Sequence, residues 1–225
     1  ATSAGRTPIA QGSAATSTEG LGAGALSLDG NGVLSIADAS WLSNHTALSV
    51  QLWSKATSIG NDRGQLAAGQ AAFTGDSDLF IRYQSTGLGV GQPENVIHSS
   101  ITTTAGRLRV SSGANRQSTN WQSLALTWQS GDAEASQYLD GEKQRPSFTR
   151  TASGGGSTLI GGPLYLGAGT QDSPEGGWVG LIDEVRLRSS KLSAGWIAAE
   201  HANQALPAAF FGIGSREMAN DAIDS

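Results

Sequence analysis

At 225 residues the chain is long enough for one all-β domain with its own core, and 31 glycines with only 15% charged residues argue against a helical bundle. A formal charge of −5 leaves no basic stripe and so argues against a nucleic-acid partner. With no cysteine there can be no disulfide and no thiolate metal site, and no apolar run approaches the roughly 18–20 residues of a membrane span.

Residues 1–23 are mostly Ala, Thr, Ser and Gly and read as a linker or a lead-in strand. The opening Ala1-Thr-Ser-Ala-Gly lacks Met and an apolar signal core, so the chain is expected to be part of a longer polypeptide, with a mature product as the alternative. Residues 25–28 and 33–36 flank Asp29-Gly30-Asn31-Gly32, a hairpin signal. Trp41 follows in a loop over residues 37–45, where it reads as a loop anchor or an exposed binding residue. Residues 48–54 alternate, with Leu48, Val50 and Leu52 on one face and Ser49, Gln51 and Trp53 on the other. Asp76 and Asp78 lie in a loop that leads to the alternating stretch 79–84. Residues 107–110 alternate as well, and 121–129 place Leu124, Leu126 and Trp128 inward. Residues 137–142 enter an Asp-Gly turn, and 163–167 form a further short strand.

The stretch 176–188 reads as a closing strand. Val179, Leu181, Asp183, Val185 and Leu187 fall on one side, with Gly180, Ile182, Glu184, Arg186 and Arg188 on the other. A carboxylate on that apolar side needs a cation, a set of backbone N–H donors, or an escape at the sheet edge. Ser193 is an N-cap for a helix over 194–202, and Pro207 stops it. Many short strands with one late helix predict an all-β, two-sheet antiparallel sandwich with one short helix near the C-terminus.

Four stretches carry a resemblance. Gly24-Ala-Leu-Ser-Leu-Asp-Gly30, Leu48-Ser-Val-Gln-Leu-Trp-Ser-Lys55, Trp121–Trp128 with Tyr138-Leu-Asp-Gly141, and Gly180–Leu187 with Ser193–Glu200 occur in the order found in laminin-G-like domains. The chain resembles these concanavalin A-like jelly rolls of bacterial and archaeal surface proteins. The resemblance places the sandwich over 24–214, with 215–225 as an outgoing linker. It implies an extracytoplasmic setting (cell surface, secreted or periplasmic) and a recognition role toward a glycan or an envelope protein; a spacer role is the alternative. It also implies that Trp121, Trp128, Trp178 and Trp196 are framework residues.

For calcium, the resemblance implies a structural ion held by Asp183 together with Asp29 and Gly30; hydrogen bonding of Asp183 to backbone N–H groups is the metal-free alternative. Glycoside hydrolysis needs two carboxylates placed across a cleft. No strand carries that spacing, since Asp183 and Glu184 are adjacent and the three histidines sit in no nucleophile motif. A non-catalytic reading follows, with no membrane insertion of this segment. Gln51, Trp53, Phe80, Arg82 and Arg109 project away from the core by alternation. If their strands share the concave sheet, Gln51, Trp53, Arg82 and Arg109 form one binding platform, with Trp41 as a further binding candidate; the alternatives are that Trp53 fills a shallow groove or sits under a loop and that the arginines mark the wet face of a sheet.

Overall fold

A computed structural model of the chain describes residues 7–22, 24–69, 77–85, 93–150, 155–168 and 177–207. In chain order the strands are β1 (Ile9–Gln11), β2 (Ala15–Ser17), β3 (Ala25–Asp29), β4 (Val33–Ile36), β5 (Ala47–Ala56), β6 (Arg63–Ala68), β7 (Leu79–Gln84) and β8 (Val96–Thr103). They continue with β9 (Gly106–Ser111), β10 (Gln122–Gln129), β11 (Ser136–Leu139), β12 (Glu142–Lys143), β13 (Phe148–Arg150), β14 (Leu164–Leu166) and β15 (Val179–Arg188), before helix α1 (Ala194–Ala205).

The strands form two sheets, one ordered β1-β4-β14-β6-β7-β8-β9-β13 and one ordered β12-β11-β10-β5-β15-β3-β2. Inward residues of both sheets meet in a single core that includes Leu48, Val50 and Leu52 of β5, Leu79, Ile81 and Tyr83 of β7, and Leu124, Leu126 and Trp128 of β10. These are the positions the alternation assigned to the core, because a period of two sends every second side chain to the same face. Trp178 is fully buried and meets the Tyr83 ring edge-on, with centroids 5.0 Å apart. Trp196, by contrast, is 54% exposed on α1 and does not pack in the core.

The lead-in segment is structural. β1 joins the first sheet beside β4, and β2 joins the second beside β3, so residues 9–17 bridge the sandwich. Among the described residues strand pairing therefore begins at Ile9, upstream of position 24. Residues 208–225, with the outgoing linker, lie outside the described residues.

The closing strand departs from simple alternation. Asp183 pairs with Trp53 and Arg186 pairs with Gln51, so three residues advance along β15 while two advance along β5. The extra residue is a β-bulge, and Glu184 takes it up with a φ of +52°. The bulge exchanges the faces. Ile182 is buried in the core ahead of it, and Val185 and Leu187 pack against the core after it. Asp183 therefore stands on the outer face beside Trp53, not on the apolar face.

Helix α1 starts where expected and runs to Ala205. Ser193 is extended, and its hydroxyl accepts the Trp196 N–H at 3.2 Å. Ile197 packs with Leu192, Ala125 and Tyr138 on the outer face of the β5-containing sheet. Replacing an N-cap hydroxyl with a methyl group typically costs about 1 kcal/mol. Ser193→Ala is expected to lower the unfolding free energy by that amount in a urea titration, with the slope unchanged.

Candidate ligand-binding face

The two sheets present two outer faces, and the sequence-predicted residues divide between them. Gln51 and Trp53 lie on β5, and Arg82 and Arg109 lie on β7 and β9 of the other sheet. The single platform expected from alternation is therefore two surfaces on opposite sides of the sandwich.

Helix α1 covers the first face. Trp53 is 4% exposed; its ring stacks on His201, with centroids 5.2 Å apart and planes 14° from parallel, and its indole N–H donates to Gln204 Oε1. Gln51 Nε2 donates to Glu200 Oε2 at 2.7 Å, and Arg188 donates to Glu200 Oε1 at 2.9 Å and to Gln51 Oε1 at 3.1 Å. Burial pushes the Glu200 carboxyl upward, but hydrogen bonds from Arg188 and Gln51 and the Arg188 charge hold it below its usual range. Gln51 and Trp53 thus attach the helix and are not presented to a ligand. Alternation located them correctly off the core but could not show that residues 194–205 return over them.

Trp41 is a loop anchor. It lies in a 3₁₀ turn over Ser40–Leu42, packs against the core, and donates its indole N–H to the Asp38 carbonyl at 3.1 Å. Its own carbonyl meets His45 Nε2 at 2.9 Å.

The residues proposed for calcium do not fit a shared ion. Val179 stands opposite Asp29 in the β3–β15 register, so Asp183 lies four residues further along. At a rise of roughly 3.3 Å per residue, about 13 Å of strand separates the two carboxylates. Both are also engaged. Asp183 accepts the Leu21 N–H at 2.9 Å and the Glu184 N–H at 2.7 Å. Asp29 accepts the Asn31 N–H at 2.9 Å and the Ser13 hydroxyl. The Gly30 carbonyl faces the Gly177 backbone so closely that a Cβ there would lie 2.0 Å from it. Asp183 clamps the lead-in segment to the last strand by hydrogen bonds. Asp78 accepts the Gly161 N–H at 3.2 Å, and Asp76 lies outside the described residues.

The outer face of the eight-stranded sheet has a different character. Register aligns Arg82, His98, Ser111 and Phe148 in one row across β7, β8, β9 and β13. The adjacent row holds Phe80, Ser100, Arg109 and Arg150. Arg82 and Arg109 thus stand on either side of β8, which carries His98 and Ser100 between them. The Arg82 guanidinium lies over the Phe80 ring, 4.9 Å from its centroid, and donates to Gln84 Oε1 at 3.1 Å. The His98 ring sits between Phe80 and Phe148, with centroid separations of 5.1 and 6.4 Å, and its Nδ1 meets Ser111 Oγ at 2.7 Å.

Both His98 and Ser100 are fully buried beneath these side chains, and His98 Nε2, Ser100 Oγ and Arg82 Nε have no hydrogen-bond partner. Burial, with the charges of Arg82 and Arg109 added, holds the His98 imidazole down to about 3, so it is neutral at ordinary pH. Burial and Arg109 also lower Arg82, against the opposing pull of exposed Asp62. Asp62 is itself tied to the Ser85 N–H and hydroxyl. The face thus sets Arg82 and Arg109 around buried polar atoms, His98 Nε2 and Ser100 Oγ, that have no hydrogen-bond partner. Sequence reading found its arginines and Phe80 but missed His98 and Ser100. The sequence signal was three polar residues, His98, Ser99 and Ser100, set between the apolar positions Ile97 and Ile101.

Among the described residues no group of three or more His, Asp or Glu could hold a metal, and no helix is long and apolar enough to cross a membrane. A model of the Laminin_G_3 family, concanavalin A-like lectin/glucanases superfamily, matches residues 28–198. Comparison with proteins of curated function gave no match. Among solved structures, domain 4 of AbnA, a GH43 extracellular arabinanase from Geobacillus stearothermophilus in complex with arabinotriose, is similar with a TM-score of 0.59 and 18% identity, over 85% of this chain and 86% of that one. The botulinum neurotoxin serotype G binding domain is similar with a TM-score of 0.63 and 11% identity, over 91% of this chain and 48% of that one. The binding domain of Paraclostridial Mosquitocidal Protein 1 has a TM-score of 0.64 and 10% identity, over 88% of this chain and 47% of that one. The chain spans about half the length of these two toxin domains. At such identities the likeness establishes the fold, and the neighbours are named as binding domains or as one domain of a larger enzyme. With the family model covering most of the chain, the protein belongs to the Laminin_G_3 family of the concanavalin A-like lectin/glucanase superfamily.

Proposed function

We propose that the chain is a non-catalytic, glycan-binding module of a larger extracytoplasmic protein, and that it binds through the outer face of the eight-stranded sheet. One observation carries this reading. The outer face of the seven-stranded sheet is capped by α1, whose polar contacts with Gln51, Trp53 and Arg188 are made within the chain. The other outer face has no helix over it among the described residues, and buried polar atoms there (His98 Nε2, Ser100 Oγ and Arg82 Nε) lack partners, as Thr127 Oγ1 and His201 Nδ1 do at the α1-covered face. Burying such groups unpaired costs stability, and a ligand that met them on the uncovered face would recover it. The rows that hold them carry three arginines (Arg82, Arg109 and Arg150), a histidine, two serines and two phenylalanines, and no carboxylate pair that could act as acid and base. The domain 4 neighbour, solved with arabinotriose, supports a saccharide ligand by analogy only.

A glycan array probed with the folded protein tests the reading. Saturable retention of a glycan that stays uncleaved after prolonged incubation is expected. Retention of none would favour a spacer role or a protein partner, and shortened products would make the domain a hydrolase.

A further inference from the structure

We infer that the chain has a second saccharide site, a cleft on the outer face of the seven-stranded sheet beyond the end of α1, and that its ligand is a neutral sugar held through vicinal hydroxyls. The register places Ser27, Leu181 and Lys55 in one row across β3, β15 and β5, two residues on from Trp53 along β5. Helix α1 reaches Trp53 through Gln204 and stops at Ala205, so it leaves this row uncovered. A cleft of about 540 Å³ forms there, within the range of small-ligand sites, with Ser17, Glu19, Ser27, Lys55, Thr119 and Leu181 in its lining and no residue of α1. The lead-in segment makes one wall. The Glu19 N–H donates to Ser17 Oγ at 3.0 Å, and the Glu19 carboxylate stands 3.5 Å from Lys55 Nζ. Their side chains are 71% and 39% exposed, and an ion pair that open contributes little to stability and gives way readily to a ligand. A vicinal diol fits it. One hydroxyl oxygen accepts from the ammonium while its neighbour's O–H donates to the carboxylate, and such charge-assisted bonds are the stronger kind. The pair carries no net charge, so it favours a neutral ligand over an acidic one. Hydroxyls of Ser17, Ser27 and Thr119 can meet further sugar oxygens, and the half-buried Leu181 gives the ring's C–H face an apolar floor. This site is independent of the face of the eight-stranded sheet.

The test is an amide chemical-shift titration of the folded chain with methyl glucoside, methyl mannoside and methyl galactoside. The matching deoxy hexosides, a methyl hexuronide and glycerol serve as comparisons. At least one intact neutral hexoside should shift Ser27, Lys55, Thr57 and Leu181 saturably, with an affinity that added salt leaves unchanged. Removing one hydroxyl of the vicinal pair, or replacing the ring with glycerol, should weaken binding several-fold. Glu19→Ala and Lys55→Met should each weaken it by about tenfold, the loss of a charge-assisted hydrogen bond. Both should leave Tm unchanged, because the pair is exposed. Glu19→Gln keeps a carbonyl acceptor and should recover part of the loss. A merely structural ion pair would move Tm and not the affinity. Preference for the hexuronide over every neutral hexoside, equal binding of glycerol, equal affinity of wild type and the Glu19 and Lys55 variants, or no shift in the cleft would each overturn the inference. Shifts on β7, β8 and β9 are read in the same spectra, so loss of the cleft site leaves the proposed face of the eight-stranded sheet standing, and the reverse.

Discussion

Trp53→Ala is expected to destabilise the fold by about 3–5 kcal/mol, the usual cost of truncating a buried aromatic side chain to alanine. Three contacts are lost together: the stack on His201, the indole N–H bond to Gln204, and the cover that keeps the face under α1 dry. Gln51 and Arg188, which hold Glu200 from the same side, are left to anchor the helix alone. Denaturant titration should show the loss, and amide exchange in 194–205 should accelerate more than exchange in the core strands. Trp53→Phe should recover most of the stability, because it restores a stacking ring and omits only one hydrogen bond. A Trp53→Ala protein that kept its stability and lost only ligand affinity would reverse the assignment and return Trp53 to a binding role.

His98 should make the fold sensitive to mild acid. Its imidazole titrates near 3 in the folded chain because of burial and the two neighbouring arginines, and near 6.5 when unfolded. Above the unfolded value both states are neutral and the group has no effect. Below it the unfolded chain takes up a proton that the folded chain refuses, so stability falls as pH falls from about 6.5 toward 3. The slope is about 1.4 kcal/mol per pH unit, for a total on the order of 5 kcal/mol across the window. Denaturant titrations at pH 6, 5 and 4 should therefore show the wild type losing stability faster than His98→Gln by roughly that slope. Equal slopes would mean that His98 protonates freely in the fold, and the buried neutral imidazole would have to be abandoned.

Much of the fold was legible in the residues. β5, β7 and β10 alternate because one face of each meets the sandwich core, and Ser193 marked the helix start because its hydroxyl can cap an N–H. The chemistry of the outer faces was less legible, since alternation separates in from out but does not say what returns to cover the outside. Trp53 and Gln51 are on the predicted side of β5, yet α1 covers them from nearly 150 residues away in sequence. Asp183 was misplaced for a different reason. The bulge rests on a left-handed Glu184, which carries no glycine or proline signal, and one inserted residue exchanges every face that follows. β8 escaped notice because His98, Ser99 and Ser100 are polar and buried, so its pattern lacks a wet face. That same concealment hid the residues at the centre of the proposed binding face.

The central claim is that recognition belongs to the outer face of the eight-stranded sheet. Amide chemical-shift mapping during titration with a glycan retained on the array tests it most directly. Perturbations should cluster at Phe80 and Arg82 on β7, His98 and Ser100 on β8, and Arg109 on β9, with α1 unmoved. Shifts centred on α1 and β5, or confined to the loop around Trp41, would contradict the account.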